Sequence, residues 1–243
     1  MKTTAVVGLG LIGGSIALGL KDARTVRAYD VDGATRAAAR NRGLDVAERL
    51  EDVLPADEVV VATQLPGIIA TLDRVVPLAG RAVVMEVGSL KAAVAAFAER
   101  APAEARVVGL HPMAGSTASG FTAADPAIFR GRPFLVVPTA RSDARAMAAA
   151  GDLARALGGE VTVCSPGAHD RAVAMLSGVP LAIAIALARA GADVAHLAGP
   201  GFEGATRLAG TPPELARALL GVDVKDALAR FRAALDEVER ELG

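Results

Sequence analysis

One cysteine, three histidines, no tryptophan and only 3% aromatic residues in 243 positions exclude several classes of protein at the outset. Cys164 alone can build neither an internal disulfide framework nor a cysteine-cluster metal site. That fits a reducing, cytoplasmic setting, and no metal is expected. Without aromatic platforms, single-stranded nucleic acid has nothing to stack on. Neither sign of charge is in excess, with 26 Lys and Arg against 27 Asp and Glu. No basic tail offers counterion release, so nucleic acid is not an expected partner. A long uncharged apolar run is also missing. The N-terminal apolar stretch reaches Gly8 within a few residues, too soon for an export signal. The longest charge-free stretch, 173–187, contains Gly178 and Pro180 and falls short of the roughly 18–20 residues of a membrane span. It reads as a buried helix, and no membrane partner is expected. With 52% hydrophobic residues and a net charge of −1, the chain is neither disordered nor short of core material.

What is present alternates. Short apolar, β-branched runs occur at Thr3–Val7, Thr25–Tyr29, 58–62, 82–85, 106–110 and Pro133–Val137, and Glu160–Val163 adds a last one. Helical patterns lie between most of them, at Leu11–Leu20, 34–42, 91–100 and 143–157. Continuous apolar strands separated by helices indicate a parallel sheet covered on both faces. Right-handed crossovers then make it a doubly wound, Rossmann-type α/β domain. Beyond Ser165 the strand signal ends. Helices are expected over 168–190, 202–210, 213–220 and Val224–Leu242, the last amphipathic through Val224, Leu228, Phe231, Leu235 and Val238. The expected organisation is a nucleotide-binding domain over 1–165 and a small all-helical domain over 166–243. The second is too small and apolar to stand alone and is expected to pack on the first or on a second copy of itself.

Gly8-Leu9-Gly10-Leu11-Ile12-Gly13 places a GxGxxG between a strand and a helix, with Asp30 closing the next strand about twenty residues on. In this arrangement the first glycine makes the turn, the second admits a pyrophosphate to the backbone, and the third lets helix and strand pack closely. The helix N-terminus supplies free N–H groups and a positive dipole end. A carboxylate at Asp30 accepts ribose hydroxyls and repels a 2′-phosphate, which favours NAD over NADP. Arg27, on the strand itself, does not replace an arginine after it. Thr63, at the end of the third run, falls on the same carboxyl edge, where such sheets bind their ligands. So do Val87-Gly88-Ser89-Leu90-Lys91 and Gly109-Leu110-His111-Pro112-Met113-Ala114-Gly115-Ser116. A neutral histidine at a strand end beside the cofactor can accept a proton from an alcohol while hydride leaves. A histidine tied into a loop hydrogen bond is the other reading of His111.

Together, GLGLIGGSIALGL, VGSLK and GLHPMAGSTASG resemble the prephenate/arogenate dehydrogenase family of tyrosine biosynthesis. His169-Asp170-Arg171 and Gly201-Phe202-Glu203-Gly204-Ala205-Thr206-Arg207-Leu208-Ala209 resemble further segments of that family, in the same order. The resemblance implies NAD-dependent oxidative decarboxylation of prephenate, with arogenate as the nearest variant substrate, in a homodimer joined through the helical domain. It implies that His111 assists proton removal from the ring hydroxyl and that Ser89 holds that hydroxyl or His111 in register. Arg207 would pair with a substrate carboxylate, and Ser116 would contact the substrate. A related reductase and a non-catalytic NAD sensor are the alternatives. The first is disfavoured because 172–187 holds no acid or lysine.

Four departures stand against the family pattern. The SHLPH stretch reads Ser177-Gly178-Val179-Pro180-Leu181 here, without either histidine. Thr117 stands where a glutamate is common, Gln64 where a proline is, and Gly221-Val222-Asp223 where an asparagine precedes the last helix. The chain ends at Gly243, so the expectation is a catalytic core without a regulatory domain. None of these touches His111, Ser89, Arg207 or the glycine loop. They bear on side-chain recognition.

Overall fold

The structure, a computed structural model, describes residues 1–116, 118–221 and 224–243; Thr117, Val222 and Asp223, and with them two of the departures above, lie outside the described residues. Eight strands form one sheet: β1 (Thr3–Val7), β2 (Thr25–Tyr29), β3 (Asp45–Val46), β4 (Glu58–Val61), β5 (Val83–Glu86), β6 (Arg106–Pro112), β7 (Pro133–Val137) and β8 (Glu160–Val163). Their spatial order is β3-β2-β1-β4-β5-β6-β7-β8. The order reverses beside β1, and a crevice opens at such a switch point outside the carboxyl ends of the strands. Side chains alternate between faces along a strand. Val6 and Val60 therefore enter one apolar core, while Ala5, Val7, Val59 and Val61 enter the other. This two-sided burial is why the strands read as unbroken apolar runs.

The sheet departs from an all-parallel reading at one seam. β6 and β7 run antiparallel, with His111 opposite Leu135; every other neighbouring pair is parallel. A parallel return needs a crossover, commonly a helix. Here the described residues of 113–132 carry only two short 3₁₀ turns, Phe121–Ala123 and Pro126–Phe129. Those turns cover the first helix, α1 (Leu11–Leu20). The Asp125 N–H donates to Ser15 Oγ at 2.9 Å, and a Cβ on Gly14 would lie 2.7 Å from the Phe121 ring. The two-residue β3 is too short to leave a pattern in the sequence. The remaining helices of this unit are α2 (Gly33–Asn41), α3 (Ile68–Ala79), α4 (Ala92–Arg100) and α5 (Ala144–Ala156). A lone cysteine closing an apolar run reads as a buried small residue, but Cys164, just past β8, is only partly buried.

The chain divides into two compact units, Met1–Pro166 and Gly167–Gly243. The second is helical. A run of 25 residues, Pro166–Ala190, contains α6 (Pro166–Val173), a π-helical turn over Ala174–Gly178 and α7 (Val179–Ala190). By length and composition alone this run could cross a membrane. The helix takes in charged residues at both ends, so it exceeds the charge-free stretch read from the sequence. Nor is it buried throughout: Val173, Ala174, Val179, Leu181 and Ala184 are buried, while Leu176 is 64% exposed. After it come α8 (Pro200–Thr206), α9 (Pro213–Gly221) and α10 (Val224–Leu242). Ala174, Val179, Val224 and Ala227 form a small buried core here, whereas Leu197, Val238 and Leu242 are exposed. Gly178, where the family pattern has a histidine, faces α10: a Cβ there would lie 2.4 Å from Val224 Cγ2. Close helix packing fills the space that a side chain would need.

Candidate functional site

The glycine loop is built as its spacing demands. Gly8 has φ +95°, and a Cβ on it would lie 2.7 Å from the Ala62 carbonyl oxygen. A Cβ on Gly13 would sit 1.9 Å from the Gly8 carbonyl oxygen, so α1 packs on the turn as only glycine allows. Gly10, the residue capping α1, is different: a Cβ there would meet, beyond its chain neighbours and its own helix, no atom of the described residues within 4 Å. Packing inside the chain does not require that glycine. Close approach of a pyrophosphate to the backbone does, so the residues fit a dinucleotide. Leu11 and Ile12 begin α1 and present its first N–H groups at the same place. Gly13→Ala is expected to lower the melting temperature and to abolish the further rise that a saturating dinucleotide gives the wild-type protein. Thermal melts with and without cofactor test this; overpacking of this kind costs about 1–3 kcal/mol.

Asp30 is held on both oxygens. Leu9 N–H donates to Oδ2 at 2.7 Å and Asp32 N–H to Oδ1 at 2.9 Å. Asp32 caps α2, and hydrogen bonds from Thr35 hold its carboxyl below the usual range. Arg27 faces Asp45 on β3 at 4.0 Å, away from any role beyond the strand. Thr63 follows β4, with its hydroxyl 3.3 Å from that of Thr71 on α3.

The exit of β5 holds a feature that the sequence reading missed. Glu86, the last residue of β5, is fully buried, and Lys91 is 1% exposed. Lys91 Nζ donates to Glu86 Oε2 at 2.6 Å, to the Glu86 carbonyl at 3.1 Å and to the Gly88 carbonyl at 2.6 Å. The other carboxylate oxygen accepts the Gly88 N–H. A buried ion pair therefore ties the turn that carries Ser89 from both ends. The available signal was a glutamate closing the apolar run Val83–Glu86, five residues before a lysine. The Lys91 stem lies over β6, where a Cβ on Gly109 would come within 2.9 Å of its Cδ. His111, two residues on, shares that face of the strand and is 8% exposed. Neighbouring strands thus bring Ser89, Lys91 and His111 to one edge of the sheet, the edge that also carries the glycine loop, Asp30 and Thr63. Ser116 is exposed in the loop after β6, and its hydroxyl accepts the Ala118 N–H at 3.1 Å.

Arg207 belongs to the helical unit. It opens the 3₁₀ turn after α8, is exposed, and pairs with no acidic side chain among the described residues. His169 and Asp170 form a buried pair in α6, Nδ1 to Oδ1 2.6 Å. His196 is exposed on a short 3₁₀ turn. A concavity of about 480 Å³ involves Lys2, Glu58 and Arg145 at the amino-terminal end of the sheet. Glu58 is satisfied there by Lys2 and Arg24, and open α/β sheets bind ligands at the other end. Among the described residues, no group of three or more His, Cys, Asp and Glu could hold a metal ion.

A dinucleotide cradle with a histidine at the same edge of the sheet, on β6, defines a nicotinamide-linked oxidoreductase as the class. Residues 16–163 match the family model for the prephenate dehydrogenase nucleotide-binding domain, and residues 165–243 match that for the prephenate dehydrogenase dimerization domain. The chain belongs to the prephenate dehydrogenase family. It is 28% identical to prephenate dehydrogenase of Bacillus subtilis, over 99% of this chain and 69% of that protein. The crystal structure of Synechocystis arogenate dehydrogenase superposes with a TM-score of 0.81 at 28% identity, covering 99% of this chain and 91% of that one. Prephenate dehydrogenase from Aquifex aeolicus, solved with hydroxyphenyl propionate and NAD+, shares the fold with a TM-score of 0.86 at 23% identity, covering 100% and 91%.

Proposed function

We propose that the chain oxidises prephenate with NAD, releasing carbon dioxide and 4-hydroxyphenylpyruvate, in the cytoplasm and as a homodimer joined through its helical unit. The observation that carries this reading is His111, held at the end of β6 on the face shared with Gly109 and the Lys91 stem. NAD, when bound, supplies the hydride acceptor. Gly8, Gly10, Gly13, Leu11 and Ile12 would hold its pyrophosphate, Asp30 its ribose hydroxyls, and Thr63 would border it. His111 accepts the hydrogen bond of the substrate's ring hydroxyl. It takes that proton as the carbinol carbon loses hydride, then returns a proton to the phenolate oxygen once the ring carboxylate has left. Aromatisation drives the step, so the protein has mainly to orient and polarise. Ser89 fixes the hydroxyl or His111, on a turn made rigid by Glu86 and Lys91. Arg207, without an acidic partner among the described residues, pairs with a substrate carboxylate, for which a guanidinium fork is suited. Ser116 contacts the substrate from the loop after β6.

Arogenate is the second reading, favoured by the altered SHLPH stretch and by Gly178 packed on Val224 where a histidine would otherwise stand. The test is NADH formation by the purified protein with NAD or NADP and with prephenate or arogenate. Turnover of prephenate with NAD supports the proposal. A preference for arogenate replaces it with the second reading, and NAD binding without turnover of either substrate overturns both. Within the same assay, Arg207→Gln is expected to raise KM for the substrate about 10- to 100-fold, the loss of one charge-assisted pair, while NAD affinity stays unchanged.

A further inference from the structure

Two arginines on α2 stand at the end of β2 that carries Asp30. The Arg36 Nη1 donates to the carbonyl of Asp30 itself at 2.9 Å and to that of Val31 at 3.0 Å. Its Nε and Nη2 reach Glu48 Oε2 at 3.2 and 3.0 Å. One helical turn later, Arg40 donates to the Val46 carbonyl at 2.9 and 3.2 Å and to the other oxygen of Glu48. Glu48, just past β3, therefore bridges both guanidinium groups. Hydrogen bonds from Arg40 first and Arg36 second hold its carboxyl below the usual range, so it stays ionised through neutral pH.

This arrangement bears on which dinucleotide the site accepts. A 2′-phosphate would fall at Asp30, within reach of the backbone carbonyl to which Arg36 is fastened. Guanidinium groups bind phosphate well when they are not already neutralised. With Glu48 present, the three carboxylates of Asp30, Asp32 and Glu48 outnumber the two guanidinium groups; without it the two signs balance. We propose that Glu48 is a specificity-determining residue, which occupies Arg36 and Arg40 and so keeps a latent 2′-phosphate clamp closed. The inference rests on the reading of the site as an NAD site. Asp30 rejects the phosphate directly, and Glu48 withholds the cations that would otherwise attract it.

The experiment is titration of the full chain and of Glu48→Gln with NAD and with NADP, read by calorimetry and without any second substrate. Glu48 is 63% exposed, so its replacement leaves the core untouched. Glu48→Gln is expected to tighten NADP about five- to tenfold and to move NAD by less than about twofold, with a gain that shrinks as salt is raised. Adding Arg36→Gln and Arg40→Gln to Glu48→Gln should return NADP to its original weakness. An unchanged NADP-to-NAD ratio in Glu48→Gln overturns the proposal, as does a gain that survives loss of both arginines. Wild-type protein that binds no NAD overturns the underlying cofactor reading instead, so the two failures are distinguishable.

Discussion

His111→Asn is expected to lower kcat by about 10²- to 10⁴-fold, the range associated with removing a general acid–base group, and to leave NAD affinity within experimental scatter. Asparagine keeps a polar side chain of similar reach but cannot take up a proton. The backbone at this position is held by pairing with β7, where His111 stands opposite Leu135, so the strand survives the change. A drop in kcat with an unchanged melting temperature and unchanged NAD affinity identifies proton transfer as what was lost. If His111→Asn retains more than about a tenth of wild-type turnover, the proton is taken by another group, and Ser89 with its neighbours becomes the place to look.

The largest effect on stability is expected at Glu86. Glu86→Gln keeps the size of the side chain but leaves the Lys91 ammonium buried without its counter-charge. Breaking a buried pair by removing one partner costs about 3–5 kcal/mol. Equilibrium urea unfolding should show a lower midpoint with an unchanged slope. The comparison that separates charge from packing is Glu86→Met combined with Lys91→Met. Replacing both partners by apolar groups of similar volume is often close to neutral. Here the Glu86 and Gly88 carbonyls also lose the ammonium donor, so the double variant should recover most of the loss but not all of it. Recovery of stability without recovery of kcat would assign the pair to holding the Ser89 turn. A Glu86→Gln protein as stable as wild type would contradict the burial of the charged pair.

Much of the nucleotide-binding unit was legible because its strands are apolar on both faces and its glycines answer to backbone distances. The spacing of Gly8, Gly10 and Gly13 and the position of Asp30 are consequences of one turn, and one turn leaves one pattern. The direction of β7 was not legible. An apolar pentapeptide has the same composition in either direction, and only the lack of a crossover helix among the described residues of 113–132 distinguishes the antiparallel case. Lys91 was named only as part of a motif, because a lysine beside a loop ordinarily reaches solvent; its burial depends on Glu86 and Gly109, neighbours supplied by the sheet. In the helical unit the periodicity gave the helices, but the π turn over Ala174–Gly178 shifts the faces of the long run. That shift, and the fit of Gly178 to Val224, belong to packing rather than to period. Arg36 and Arg40 lie in the helix expected over 34–42, and Glu48 carries no signal in the sequence. Their convergence required the fold.

The two N–H groups received by Asp30 couple recognition to architecture. One comes from the glycine turn and the other from the start of α2, so this carboxylate is a clasp between two loops as well as the proposed reader of ribose. A change at position 30 made to admit a phosphorylated cofactor would open the clasp, and the pyrophosphate cradle would loosen along with the selectivity. Glu48 has no such double duty, because its partners are side chains at the rim. Drift or engineering in cofactor choice therefore meets less resistance at the rim than at the residue that fastens the two loops together.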